Sequence, residues 1–176
     1  MSQLTMLLPT RPQPRRGVES LPFRLAQSDD NAALAELLGL AFPEQEWDAG
    51  RVERDLTGAA DVSHVFVLDD GDDIVATASA RFGVAEFPGM GYVHWVGVSP
   101  TQRGRSLGRA ATLHVIDQFA TDGRWPVVLT TDDERLAAIS TYLGLGFIPH
   151  YTADDHAERW SKVFIAFKES RIAGGR

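Results

Sequence analysis

Two spacings alternate along the chain. From Asn31 to Phe42, Ala33, Leu34, Leu37, Leu38 and Ala41 recur at helical intervals, after capping residues Ser28, Asp29 and Asp30 and before the stop at Pro43. Asp48 to Leu56 reads as a second, shorter helix with a charged face, and Phe23 to Ala26 as a short strand ahead of both. His64–Leu68 and Ile74–Phe82 read as strands joined by a turn at Asp69-Asp70-Gly71-Asp72, and Met90–Val98 as a third. Pro100 to Arg103 opens a helix running to about Thr121, with Ala111, Val115, Ile116 and Phe119 inward. Val127–Thr130 is a brief strand. Thr131 to Glu134 has the T-x-x-E capping-box form ahead of a helix over Leu136–Leu143, and Asp132 and Asp133 read as caps. Phe147–Tyr151 and Val163–Phe167 read as closing strands. This order predicts an α/β fold in one domain, with a mixed central sheet of about six to seven strands flanked by helices.

Residues 1–20 hold Pro9, Pro12, Pro14 and three Arg with no apolar period, and Met6-Leu7-Leu8 is too short for a signal h-region. They read as a flexible or edge-lying extension, 21–170 as the domain and 171–176 as a C-terminal tail. The length of 176 residues suits one domain with its own core. No apolar run approaches the roughly 20 residues of a bilayer span, so a membrane role is not expected. The absence of Cys removes disulfides, thiolate metal sites and a Cys nucleophile. With no need of an oxidising compartment, a cytoplasmic setting is the expectation.

The net charge of −7 argues against binding nucleic acid through general basicity. That total conceals a segregation. Residues 29–86 carry fourteen acids against Arg51, Arg54 and Arg81, whereas Gly97 to Arg124 carries four Arg against Asp117 and Asp122. An acidic half beside a basic, Gly-containing turn suits one anionic ligand and one cationic one.

That turn lies in His94-Trp95-Val96-Gly97-Val98-Ser99-Pro100-Thr101-Gln102-Arg103-Gly104-Arg105-Ser106-Leu107-Gly108-Arg109, where a strand runs through a glycine turn into a helix. The first amides of that helix have no internal partners and sit at its positive end. Gly104 and Gly108 allow close approach, and Arg103, Arg105 and Arg109 add charge, an arrangement suited to a pyrophosphate. It is not a P-loop, which needs Gly-Lys-Ser/Thr. His64, His114, His150 and His156 show no metal-ligand spacing, so no metal is expected.

The sequence resembles the GNAT superfamily of acetyl-CoA-dependent N-acetyltransferases. Its cofactor loop is matched by Arg103-Gly104-Arg105-Ser106-Leu107-Gly108, and its Y-x-x-L-G-F signature by Tyr142-Leu143-Gly144-Leu145-Gly146-Phe147, in the family's order and spacing. Ser106 stands where the family usually has Gly, and Arg135 where many members carry Asn. The resemblance implies acetyl-CoA lying between splayed strands Val96–Val98 and Val127–Thr130. Cofactor contacts would then fall to Val96, Gly97, Val98, Arg103, Gly104, Arg105, Ser106, Leu107, Gly108 and Arg109. Tyr142 would be the general acid, since a phenol donates to a departing thiolate without prior ionisation.

Strict alternation places Tyr92, His94, Val96 and Val98 on one face of their strand, which makes His94 a candidate base, with Glu86 just before the strand as the second. A water chain is the third possibility. The implied reaction is direct transfer in a ternary complex to a primary amine, with the acidic half favouring a cationic one. The alternatives are a non-catalytic acyl-CoA-binding sensor or partner module, and a protein N-terminal or lysine acetyltransferase. A monomer or homodimer is expected.

Overall fold

A computed structural model describes residues 3–11 and 21–174, the side chains of 171–174 excepted. Among these residues seven strands form one sheet: β1 (Leu4–Leu8), β2 (Arg24–Leu25), β3 (Val62–Asp70), β4 (Asp73–Arg81), β5 (Gly91–Val98), β6 (Val127–Thr131) and β7 (Ile148–His150). Their order is β2-β3-β4-β5-β6-β1-β7. Every neighbouring pair is antiparallel except β5 and β6. A parallel pair needs a long crossover, here helix α3 (Leu107–Thr121). The β3–β4 hairpin turns at Gly71, whose φ of 67° suits glycine.

The two faces of the sheet carry separate cores. On one, α1 (Asn31–Ala41) and α2 (Ala49–Val52, continued as one wider turn over Glu53–Thr57) cover the sheet. There Leu34, Leu37, Leu38, Val52 and Leu56 pack with Val65, Val67 and Ile74. On the other lie α3, α4 (Leu136–Leu145) and α5 (His156–Gly174), where Val115, Phe119, Ile139 and Trp160 pack with Leu4, Met6, Val93 and Leu129. A Cβ on Gly91 would stand 2.6 Å from the Phe119 ring, so glycine there lets α3 sit close on β5.

Four sequence-based expectations give way to the structure. Residues 4–8 are not an extension: they form β1, inserted between β6 and β7, with Leu4 and Met6 fully buried. The LTMLL segment hides both faces, so the polar alternation of a half-exposed strand is missing. Residues 12–20 of that expected extension lie outside the described residues. Val163–Phe167 is helix, not strand: His156, Trp160 and Val163, all buried, recur at helical spacing and override the local strand preference. The capping box at Thr131–Glu134 is absent. Thr131 ends β6, Asp133 pairs with Arg159, Asp132 with Arg135, and Arg135 precedes α4 without a side-chain cap. Finally, the helix expected from Pro100 is a single turn over Pro100–Gln102, broken before α3 begins at Leu107.

Candidate active site

The parallel ladder of β5 and β6 runs through Gly91↔Val127, Tyr92↔Val128 and Val93↔Leu129, then stops, and the strands diverge. A cleft of about 120 Å³ opens at this divergence. Its walls include Tyr92, His94, Trp95 and Val96 of β5, Leu129 and Thr130 of β6, and Arg135, Ala138 and Tyr142 at α4. Phe42, Asp132 and Gln3 complete the rim.

Opposite this edge, β5 carries a bulge. Ser79 pairs with His94 but Thr77 with Gly97, so β5 has one residue more than β4 in this interval. Trp95 absorbs it with φ of 45°, a backbone conformation that costs energy for a bulky side chain and recurs at functional sites. The extra residue inverts the alternation. A Cβ at Gly97 would meet Leu38 and Ala41 of α1, while Gly108 of α3 faces Val98 and Val96. Hence Val96 and Val98 face α3, whereas Tyr92 and His94, opposite in parity to Gly91 and Val93, face the α1 side. The expectation of one shared face for these four side chains is corrected by the bulge. The cleft passes between strands, so its two mouths carry different side chains.

Tyr142 is buried and stands on the cleft wall, edge-on to Phe147 at 5.9 Å between ring centres. Burial pushes its phenol up to about 12, against a smaller opposing effect of Arg135. Burial also pushes the His94 imidazole down to about 3, with Arg81 adding to it, and its Nδ1 has no hydrogen-bond partner among the described residues. Tyr92 is held by a 2.6 Å hydrogen bond to Thr130. Glu86 does not join them. It is exposed in the β4–β5 loop, in a turn closed by Phe87 N–H donating to Val84 O at 2.9 Å, at the end of β5 remote from the divergence.

At the other end of β5 the chain turns through Arg103–Ser106 into α3. Gly104 has φ of 81° with open space where a Cβ would be, and Ser106 adopts φ of 59°. Ala110 N–H is bonded to Ser106 O at 3.0 Å; the amides before it in that first turn lack intrahelical acceptors. Arg103 and Arg105 are exposed, Arg105 bonding Gln102 and lying 3.8 Å from Asp70. Arg109 donates to Gly144 O of α4 at 3.3 Å. Gly97 is buried against α1 and is not on the cleft wall. The arrangement thus joins an anion-receptive turn, a slot between strands lined by both polar and apolar side chains, and a protonated phenol.

The side chains that sequence reasoning missed are Gln3, Thr130 and Phe42. Gln3 lay in the supposed extension, and the strand pairing that brings it to Thr130 is non-local. No group of three His, Asp or Glu placed to hold a metal ion occurs among the described residues, and no helix among them is long and apolar enough to cross a membrane.

Residues 31–147 match the Acetyltransferase (GNAT) family. A mycothiol acetyltransferase of Nocardia farcinica is 30% identical over 68% of this chain and 42% of its own length. One of Gordonia bronchialis is 33% identical over 69% of this chain and 41% of its own. The chain therefore spans about two-fifths of these curated relatives. Among solved structures, a Salmonella typhimurium protein with its cofactor acetyl-CoA has a TM-score of 0.60 at 23% identity, covering 74% of this chain and 80% of that one. The Escherichia coli ribosomal-protein-S18-alanine N-acetyltransferase has a TM-score of 0.61 at 21% identity, covering 73% and 78%. Both likenesses are of fold.

Proposed function

Because the chain belongs to the GNAT family of acetyltransferases, we propose that it moves the acetyl group of acetyl-CoA to a primary amine of a small molecule, by direct attack in a ternary complex. The observation that carries this reading is the divergence of β5 and β6 beyond Val93 and Leu129, with Tyr142 on its wall. The residues fit the cofactor. Gly104 leaves the main chain open, a Cβ at Gly108 would make only ordinary contact with Val98 at 3.5 Å, and α3 offers its first amides beside Arg103 and Arg105. When bound, acetyl-CoA supplies an acetyl group activated as a thioester.

In the transfer a C–N bond forms and the C–S bond breaks; the nitrogen gives up a proton and the sulfur receives one. Tyr142 is the donor to sulfur, since its raised pKa keeps the phenol protonated across working pH, and solvent restores the proton afterwards. His94, held near 3, is neutral there and far too weak a base for an alkylammonium. Glu86 is off the cleft wall. An alkylammonium therefore loses one proton to water before attack, its nitrogen sheds a second to water once the C–N bond has formed, and His94 serves as a neutral wall residue. Val96 stands on the cleft wall, and Val96 and Val98 both face Gly108 of α3 beside the cofactor turn. A small-molecule acceptor is favoured by the name of the relatives, mycothiol acetyltransferase, at about this level of identity.

Acetyl-CoA should raise the melting temperature and an amine panel should accelerate release of free CoA thiol. No thermal shift at saturating acetyl-CoA would sink the cofactor assignment. A shift without amine-dependent thiol release would make the chain a binding module. Tyr142→Phe should lower turnover about 100-fold or more, with the acetyl-CoA thermal shift retained.

A further inference from the structure

A run of three hydrogen bonds crosses the cleft rim: Tyr92 Oη to Thr130 Oγ1 at 2.6 Å, Thr130 Oγ1 to Gln3 Oε1 at 2.8 Å, and Gln3 Nε2 to Asp132 Oδ1 at 3.0 Å. Its direction follows from chemistry alone. A carboxylate only accepts, so Gln3 must present its NH₂ to Asp132 and therefore its carbonyl to Thr130. Thr130 spends its single proton on that carbonyl. It can then only accept from Tyr92, so the phenol proton is committed to Thr130. Tyr92 Oη is left with acceptor capacity and no donor capacity. Among the described residues Thr130 is the only hydrogen-bond partner of the Tyr92 hydroxyl.

Resting on the acetyltransferase reading above, we propose that Tyr92 Oη is the group that receives the acceptor amine, accepting one of its N–H bonds, and that Thr130 and Gln3 are positioning residues that keep this oxygen an acceptor. Three features support the assignment. Tyr92 lies on the α1 side of the bulged strand, opposite to Val96 and Val98, so an amine held there approaches from the face away from the cofactor turn. Phe42 and Trp95, 4.9 Å apart edge to face, give this mouth an aromatic wall for the body of the acceptor. Burial raises the Tyr92 pKa, so the oxygen stays a neutral phenol and holds the amine without deprotonating it. The substrate class is then a primary amine on an apolar or aromatic body, and a nucleophile bearing no hydrogen is rejected.

The test uses the full chain labelled with ¹³C at tyrosine Cζ, the carbon bearing the phenol oxygen; the three tyrosine signals are assigned by Tyr→Phe variants. With 2-phenylethylamine as the probe, the Tyr92 signal should move saturably. Thr130→Val, which frees the phenol proton to point at the amine, should weaken probe binding about tenfold, the weight of one hydrogen bond. Thr130→Ser, which keeps the relay, should restore wild-type affinity and guards against a merely structural loss. A Tyr92 signal that does not move, or equal affinity in the wild type and Thr130→Val, overturns the proposal. The acetyl-CoA thermal shift, read on the same samples, tests the transferase reading separately.

Discussion

Arg135 Nη2 lies 2.9 Å from Glu44 Oε1, tying the start of α4 to the link between α1 and α2 across the mouth of the cleft. The same guanidinium stands 3.3 Å from Asp132 and 4.3 Å from the centre of the Phe42 ring. Glu44 is half exposed, at 54% of its side chain, so this tie contributes about 1 kcal/mol or less to stability. Its effect on the mouth should be larger. Arg135→Gln should lower the melting temperature only slightly while raising the KM for amine several-fold, and high salt should mimic the variant in the wild type. Thermal unfolding and steady-state kinetics on the two proteins decide this; a KM unchanged by both treatments refutes a role for the tie.

Two neighbouring positions in the turn proposed to bind the cofactor should respond in opposite directions. Ser106 holds φ of 59° and Gly104 φ of 81°, and both are exposed. A left-handed backbone costs a residue with a Cβ roughly 1–2 kcal/mol, offset for glycine by about 0.5–1 kcal/mol of unfolded-chain freedom. Ser106→Gly should therefore raise the melting temperature modestly and tighten acetyl-CoA binding by opening the approach to the turn. Gly104→Ala should lower both. Space is open around a Cβ at Gly104, so any loss of stability there is backbone strain and not a clash. Scanning calorimetry with and without acetyl-CoA reads both effects.

His94 should make the fold acid-sensitive. Burial, then Arg81, holds its imidazole near 3 in the fold, against about 6.5 in the unfolded chain. Asp61 and Asp55 oppose the shift without cancelling it. Between those values the unfolded state binds the extra proton. The stabilisation is therefore complete above pH 6.5 and is lost progressively as pH falls toward 3. At pH 5 the loss is of order 2 kcal/mol. Urea unfolding at pH 7 and pH 5 should show it, and His94→Phe should flatten that difference. The rate profile should show no limb near pH 6.5 belonging to this residue.

Much of the candidate site was legible because its signals are local. Arg103-Gly104 and Gly108 mark the turn, and Tyr142 through Phe147 marks the end of α4, each within a few residues of sequence. The α/β order followed from periodicity, and the β3–β4 hairpin from Gly71. What was hidden depends on pairing. The bulge at Trp95 adds one residue to an unbroken run of aromatic and β-branched side chains, so nothing in GYVHWVGV marks where the faces exchange. Gln3 reaches Thr130 only because β1 lies beside β6, a register that no local pattern encodes. For α5 the helical recurrence of His156, Trp160 and Val163 was present, but the β-branched and aromatic stretch Val163–Phe167 masked it.

The placement of β1 carries the strongest stability prediction. It pairs with β6 over Leu4↔Thr131 to Leu8↔Val127 and with β7 over Thr5↔His150 to Leu7↔Ile148. Leu4, Met6 and Leu8 point into the core shared with Phe147 and Trp160, each exposed by 1% or less. Removing the strand would strip hydrogen bonds from two neighbours at once and expose β6 as a new edge beside the cleft. Met6→Ala should cost about 2–5 kcal/mol, as large-to-small changes in a closed core do. A chain lacking residues 1–8 should lose cooperative unfolding, since β7 would have no strand to join. The exposed Leu25, at 50%, supplies the control: Leu25→Ala should change stability by about 0.5 kcal/mol or less. Chemical denaturation of the three proteins separates these outcomes, and a Met6→Ala chain as stable as Leu25→Ala would show that β1 is dispensable to the core.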